Sequence, residues 1–266
     1  MPSDAHLRAT FNAAAASYQG SRPDYPAELY DDLLELTGLT PPADLLEVGP
    51  GPGKATLPLA RQGFRITAIE LGADLAEQAR HNLAAFPDVS VVTTPFEEWQ
   101  AEDAYDLVYA ATAWHWIDPD VKYAKAAALL RPGGHLAVWG AGHAFPKDFD
   151  PFFTEIQQVY AEIGEDNPDD RFPPPLPEEV RDPIAGDLQA SGVFEVSGVR
   201  QYVWGLCYTA DQYLALLDTF SGHIAMGQAK RDKLYGEVRR RLAERPDNSL
   251  VRHWMSTLTV GRVINP

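Results

Sequence analysis

From Leu45 onward, short apolar runs alternate with amphipathic stretches, the pattern of repeated strand–helix units packed around a mainly parallel sheet. Strands are expected at Asp44–Val48, Arg65–Glu70, Val89–Thr93, Tyr105–Ala110 and His135–Trp139. Helices fall between them, at about Lys54–Gln62, Ala73–Ala85 and Val121–Leu130. Gly63 is placed to end the first of these in a left-handed conformation, and Arg131-Pro132-Gly133-Gly134 forces a turn before the fifth strand. Ahead of the first strand, Pro26 suits the first turn of a helix running to Gly38, with Leu29, Leu33, Leu34 and Leu36 on its apolar face. The residues before Pro26 read as a separate, shorter helical arm.

After the fifth strand the alternation stops. Gly164–Glu179 is acidic, Pro-rich and nearly free of apolar residues, so it belongs in a surface loop or at the edge of a lid. Order resumes with an alternating run at Val193–Leu206, a strand. Thr209-Ala210-Asp211-Gln212 then forms a capping box opening a helix to about Thr219. A basic stretch with Leu234, Val238 and Leu242 at four-residue spacing reads as a solvated amphipathic helix, and Ser256–Ile264 closes the chain as an edge or final strand. The division expected is residues 1–40 as a helical arm or lid, 41–140 as a ligand-binding core, and 141–266 as cap insertions plus the strands that complete the sheet.

Composition narrows the function. A formal charge of −16 and a pI near 4.7 oppose binding to a phosphate backbone, which argues against a nucleic-acid substrate. No run approaches the roughly 18 apolar residues of a membrane span, and the start lacks the apolar core of a signal peptide, so a cytoplasmic location is expected. Cys207 is the single cysteine, without an internal disulfide partner, and reads as a small buried hydrophobe. The histidines and the cysteine show neither a CxxC pair nor a His-x-x-x-His, so a metal-independent reaction is expected. A monomer or a homodimer is expected.

The feature that carries chemistry is Glu47-Val48-Gly49-Pro50-Gly51-Pro52-Gly53, at the end of an apolar strand and the start of a helix. Glycines at such a turn let the backbone bend sharply and approach a ligand closely. The third glycine falls one residue short of its place in the dinucleotide fingerprint, which here is Lys54, and this disfavours a nicotinamide-dependent oxidoreductase. Glu70 ends the second strand about 20 residues beyond the first glycine, where a carboxylate can accept both hydroxyls of an adenosine ribose.

These residues resemble motif I of the class I S-adenosylmethionine-dependent methyltransferases, a Rossmann-like α/β fold with a seven-stranded, mostly parallel sheet. Ala113-Trp114-His115-Trp116-Ile117-Asp118 and the arm residues Phe11-Asn12, Tyr18 and Arg22-Pro23-Asp24-Tyr25-Pro26 resemble the trans-aconitate methyltransferase-like, type 11 branch. The resemblance implies S-adenosylmethionine as cofactor, S-adenosylhomocysteine as product and a small molecule as acceptor, a carboxylic acid among the classes in view. It implies Glu47 and Gly49 at the methionine moiety, Gly51 and Gly53 along the cofactor, Glu70 on the ribose with Leu71 beside it, and Phe96 against the adenine. Ala110, Tyr18 and Arg22 complete the implied cofactor contacts. Thr94-Pro95 stands where the branch often has Asp followed by a small residue.

His115 is the candidate general base, since it follows the fourth strand on the edge where open α/β sheets bind ligands; holding its loop in place is the other role open to it. Trp114 and Trp116 are candidates for the substrate pocket or for ordinary packing. Arg22 has the side chain suited to a bidentate carboxylate contact. A protein that binds S-adenosylmethionine without transferring its methyl group is the alternative from another functional class.

Overall fold

A computed structural model of the chain describes residues 22–165 and 172–264. Phe11, Asn12 and Tyr18 of the arm, and part of the acidic Pro-rich segment, lie outside the described residues. Helix α1 (Ala27–Thr37) starts on Pro26 and ends on Gly38, whose φ of 67° closes it in the left-handed region. Then come β1 (Asp44–Val48), α2 (Thr56–Arg61), β2 (Arg65–Glu70), α3 (Ala73–Leu83), β3 (Val89–Thr93), β4 (Tyr105–Ala111), α4 (Lys122–Leu129) and β5 (Leu130–Trp139). A short β6 (Ala141–Ala144) leads to the cap helices α5 (Phe152–Glu155), α6 (Gln157–Glu162) and α7 (Ile184–Ala190). The chain ends through β7 (Phe194–Thr209), α8 (Ala210–Leu217), α9 (Ser221–Ala225), α10 (Gln228–Ala243) and β8 (Ser249–Val263).

The described strands form one eight-stranded sheet in the order β3-β2-β1-β4-β5-β8-β6, with β7 also on β8. β1 through β5 pair in parallel, and β8 runs antiparallel to β5, β6 and β7. Chain order reverses between β1 and β4. At such a switch point the loops leave the carboxyl ends of the two strands in opposite directions and open a crevice.

Strand alternation splits the core into two layers. Leu45, Ile66, Leu107, Tyr109 and Leu258 pack with Leu29, Leu33 and Leu59 on one face. Leu46, Val108, Leu136 and Val138 pack with Trp114, Ala126 and Leu188 on the other. A third cluster lies in the cap, where Phe152, Ile156, Leu214, Leu217, Leu234, Val238 and Leu242 close over Leu250 and Trp254 at the beginning of β8.

Arg131–Gly134 is not a turn that precedes the fifth strand. The paired segment already begins at Leu130, opposite Tyr105, and resumes at His135 opposite Leu107, so the four residues between them bulge out against Asp106 alone. Arg131 explains the geometry: from the bulge its guanidinium reaches both Asp44 (2.7 Å) and Asp106 (2.5 Å). The last strand begins seven residues earlier than Ser256 and lies inside the sheet, with β7 as the neighbouring outer strand. Cys207 is exposed on β7, its Sγ 3.1 Å from Ser249 Oγ. The capping box forms as the residue types require: Thr209 N–H donates to Gln212 Oε1 (2.9 Å) and Gln212 N–H to Thr209 Oγ1 (3.4 Å).

Candidate active site

A cavity of about 740 Å³ opens at the carboxyl ends of β1, β2 and β4, along the switch point. Its floor is the glycine turn. Gly49 (φ 69°) and Gly51 (φ 55°) both lie in the left-handed region that side chains disfavour. A Cβ on Gly49 would stand 2.6 Å from the Cβ of Ala113, so the turn packs directly on the loop after β4. A Cβ on Gly51 would meet nothing within 4 Å: this glycine faces open space, as a backbone cradle for a ligand does.

Glu70 joins the turn to β2. Its Oε2 accepts the Gly51 N–H (3.0 Å) and its Oε1 the Gly72 N–H (2.8 Å), fixing both oxygens at the rim of the cavity. Burial pushes its pKa up, and the backbone donors at Gly72 and Gly51 oppose that rise. The carboxylate is thus held in one orientation, 7% exposed and facing the cavity wall, with lone pairs left for further donors. Leu71, half exposed beside it, and Phe96, buried against Trp114 at 5.9 Å between ring centroids, complete this end.

Behind the turn, Glu47 is fully buried on β1. Its Oε2 accepts hydrogen bonds from Thr56 Oγ1 (2.5 Å) and Tyr109 OH (2.8 Å), while Oε1 has no partner. Loss of hydration outweighs these donors and raises its pKa from an ordinary 4.5 to about 7. Tyr109 stacks flat on Trp139, their centroids 5.5 Å apart, which fixes the hydroxyl that Glu47 uses.

The far wall comes from the loop after β4 and from the arm. Thr112 sits at φ 58°, an uncommon conformation for a β-branched residue, with its N–H bonded to Trp139 O (2.7 Å) and its Oγ1 to Tyr25 OH (2.7 Å). The strained residue turns the chain so that His115 and Trp116 reach the cavity. Burial, with the Lys122 charge as the smaller cause, lowers the His115 pKa and favours the neutral ring. From the arm, Arg22, Pro23 and Tyr25 line the cavity, and Lys54 pairs with Asp24 at 2.8 Å.

Residues 46–138 match the family model described as a methyltransferase domain. An uncharacterized methyltransferase of Mycobacterium tuberculosis is 28% identical over 239 residues, 89% of this chain and 87% of that relative. A structure named as a type II methyltransferase from Anaeromyxobacter dehalogenans superposes with a TM-score of 0.65 at 25% identity, covering 91% of this chain and 97% of that one. Residues 46–138 thus form a methyltransferase domain, carried on the class I methyltransferase fold. A trans-aconitate 2-methyltransferase of Rhodopseudomonas palustris is 31% identical over 110 residues, 40% of this chain and 42% of that relative. The [4+2]-cyclase SpnF shares the fold alone, with a TM-score of 0.57 at 17% identity over 98% of this chain and 96% of its own.

The structure brings Arg22, Gly49, Gly51, Glu70, Leu71, Phe96, His115 and Trp116 to one cavity. Glu47, Gly53, Ala110 and Trp114 stand behind its walls, away from the positions expected of them. Glu47 points with Leu45 and Tyr109 into the core. A Cβ on Gly53 would touch Leu83 at 3.0 Å, so this glycine lets α3 pack closely on the turn. Ala110 faces the opposite layer, and strand alternation hands the cavity to Ala111. Trp114 is 1% exposed, wedged between Phe96 and Tyr123. Tyr18 lies outside the described residues. Thr112 and Trp254 line the cavity without having been singled out in the sequence; a run of apolar and polar residues carries no mark of left-handed strain, nor of a last strand that starts early.

Proposed function

We propose that this methyltransferase transfers the methyl group of S-adenosylmethionine to a small molecule bearing a carboxylic acid. The observation that carries the reading is Glu70: a buried carboxylate at the end of β2, locked by Gly51 and Gly72 N–H groups, at the rim of a cavity floored by an open glycine turn. That acceptor fits an adenosine ribose, whose vicinal hydroxyls can both donate to one carboxylate, and Gly51 leaves room for the rest of the nucleoside. When bound, the sulfonium supplies an activated methyl group that needs only an aligned nucleophile.

The protein's own contribution is alignment and exclusion of water. Holding two reactants in line can supply roughly 7–11 kcal/mol of a barrier, and a cavity of about 740 Å³ falls within the range of small-molecule sites, about 300–1,000 Å³. The arm residues Arg22 and Tyr25, the latter tied to Thr112, form part of the cavity wall. His115, its ring biased to the neutral form beside Trp116, is placed to take the proton from a hydroxyl or amine nucleophile. The acid class of the acceptor is supported by Arg22 in the cavity wall and by the relative named for trans-aconitate.

The test is transfer of labelled methyl from S-adenosylmethionine to a panel of small carboxylic acids, their amides, phenols and amines. Labelled product from acid-bearing members supports the reading. A base-labile product identifies a methyl ester and removes the need for His115. Tight cofactor binding without transfer to any acceptor favours a binding protein without methyl transfer, an outcome given weight by the cyclase that shares this fold.

A further inference from the structure

Among the described residues, the cap core contains a positive charge with no ion-pair partner. Arg252, on β8, is 5% exposed, and the ion pairs among the described residues do not include it. Its Nε has no hydrogen-bond partner. Tyr213 hydrogen-bonds its guanidinium, and Tyr208 and a second arginine, Arg22, lie close enough to act on its charge. Its guanidinium lies 4.5 Å from the centroid of Trp254 and 5.4 Å from that of Phe220. The Arg22 guanidinium lies 4.2 Å from the same Phe220 ring, and its Nε donates to Thr219 Oγ1 at 2.9 Å.

A buried arginine without a carboxylate is costly, because the lost hydration is returned neither by an ion pair nor by a full set of acceptors. Aromatic faces and a hydrogen bond to Tyr213 offset part of the loss and leave Nε unanswered. Placing Arg22 close by adds repulsion. Folds elsewhere in this chain answer such charges: Arg245, also held in the cap, takes both oxygens of Asp150 at 2.6 and 2.9 Å. Arg252 therefore has the character of a group kept for something that arrives.

Its position says what arrives and from where. Trp254 and Arg22 touch Arg252 or share its ring, and both line the cofactor cavity. Trp254 belongs both to the cavity wall and to the cap core, so the cavity and the cap meet at this residue. We propose that Arg252, together with Arg22, seats a carboxylate of the acceptor where the cap core meets the cavity. A planar carboxylate matches the guanidinium fork, and Tyr213 and Tyr208 add hydroxyl donors at the same place. A carboxylate gripped in this way is a weakened nucleophile, so the seat orients the acceptor and another of its atoms receives the methyl group. This assignment rests on the methyltransferase reading of the cavity and deepens it by naming the residue that selects the acid.

The experiment compares wild type with Arg252→Met and Arg252→Lys by thermal denaturation. The probes are benzoate, phenylacetate and hexanoate at millimolar concentration, each against its primary amide, with and without S-adenosylhomocysteine. At least one acid is expected to raise the wild-type melting temperature while its amide does not, to lose that effect in Arg252→Met and to keep a fraction of it in Arg252→Lys. Without probes, Arg252→Met is expected to melt no lower than wild type, since it removes an uncompensated buried charge; a structural arginine would melt lower when replaced. Equal stabilisation by acids and amides, an acid effect that survives Arg252→Met, or no acid effect on wild type overturns the seat. So does a product methylated on the seated carboxylate. Failure of the cofactor reading looks different: S-adenosylhomocysteine then leaves wild type unchanged while the acid still stabilises it.

Discussion

Glu47 links the interior of the cofactor turn to the pH dependence of the whole fold. The carboxyl is fully buried and holds its proton up to about pH 7, against an ordinary 4.5. Between those values the folded chain keeps the proton and the unfolded chain releases it. Stability is therefore fully present below about pH 4.5, falls as pH rises through the window, and levels off above about 7. At about 1.4 kcal/mol for each tenfold change in acid strength, the loss is about 3 kcal/mol. Full burial leaves no solvent screening to discount.

Glu47→Gln keeps the shape and can still accept from Thr56 and Tyr109, but has no proton to release. Its amide N–H₂ takes the place of an oxygen that has no partner, a fixed penalty of about 1–3 kcal/mol that does not change with pH. Urea denaturation of both proteins from pH 5 to pH 8.5 cancels the groups they share. The variant should be the less stable at pH 5 and gain about 3 kcal/mol on wild type by pH 8, or roughly 6–12 °C in melting temperature for a chain of this size. Parallel stability curves would refute the argument. They would mean that Glu47 ionises without cost and that its surroundings are wetter than the hydrogen bonds indicate.

Replacing Glu70 with Ala should weaken S-adenosylhomocysteine binding by roughly 1.5–3 kcal/mol by calorimetry, with an unchanged far-ultraviolet spectrum; equal affinity would remove Glu70 from the ribose. His115→Ala should lower kcat about 10²-fold or more for a hydroxyl or amine acceptor, the lower range for loss of a general base, and should flatten the acidic limb of the pH–rate profile. A fall of less than tenfold would leave the ring as a cavity wall. Gly49→Ala should cost at least about 2 kcal/mol in urea denaturation, because the left-handed backbone and the 2.6 Å approach to Ala113 penalise the same added carbon. Wild-type stability in that variant would show the turn to be free to move.

The sequence by itself determined the features whose cause is local. Alternating apolar runs specify β1 to β4, because a strand's period of two decides which residues are buried on either face. Gly38, Gly63 and the Thr209–Gln212 box mark helix ends through φ and hydrogen-bonding capacity carried by single residues. The glycine turn and Glu70 are legible for the same reason: their spacing along a strand–turn–helix unit sets their spacing in space.

The tertiary structure decided whatever depends on a partner far away in the chain. Ala110 and Ala111 are indistinguishable as residues, and only the register of β4 assigns the cavity to the second. Gly53 looks like a ligand glycine until Leu83 arrives against it. Trp114 and Trp116 differ by which way a single 3-10 turn faces once Thr112 has turned the chain. Arg252 looks like an ordinary charged residue in a late strand, and becomes unusual only when β8 is drawn into the sheet and the cap closes over it with no carboxylate from the described residues. Burial of a charge is a property of everything packed around it, and no local pattern of residues encodes that sum.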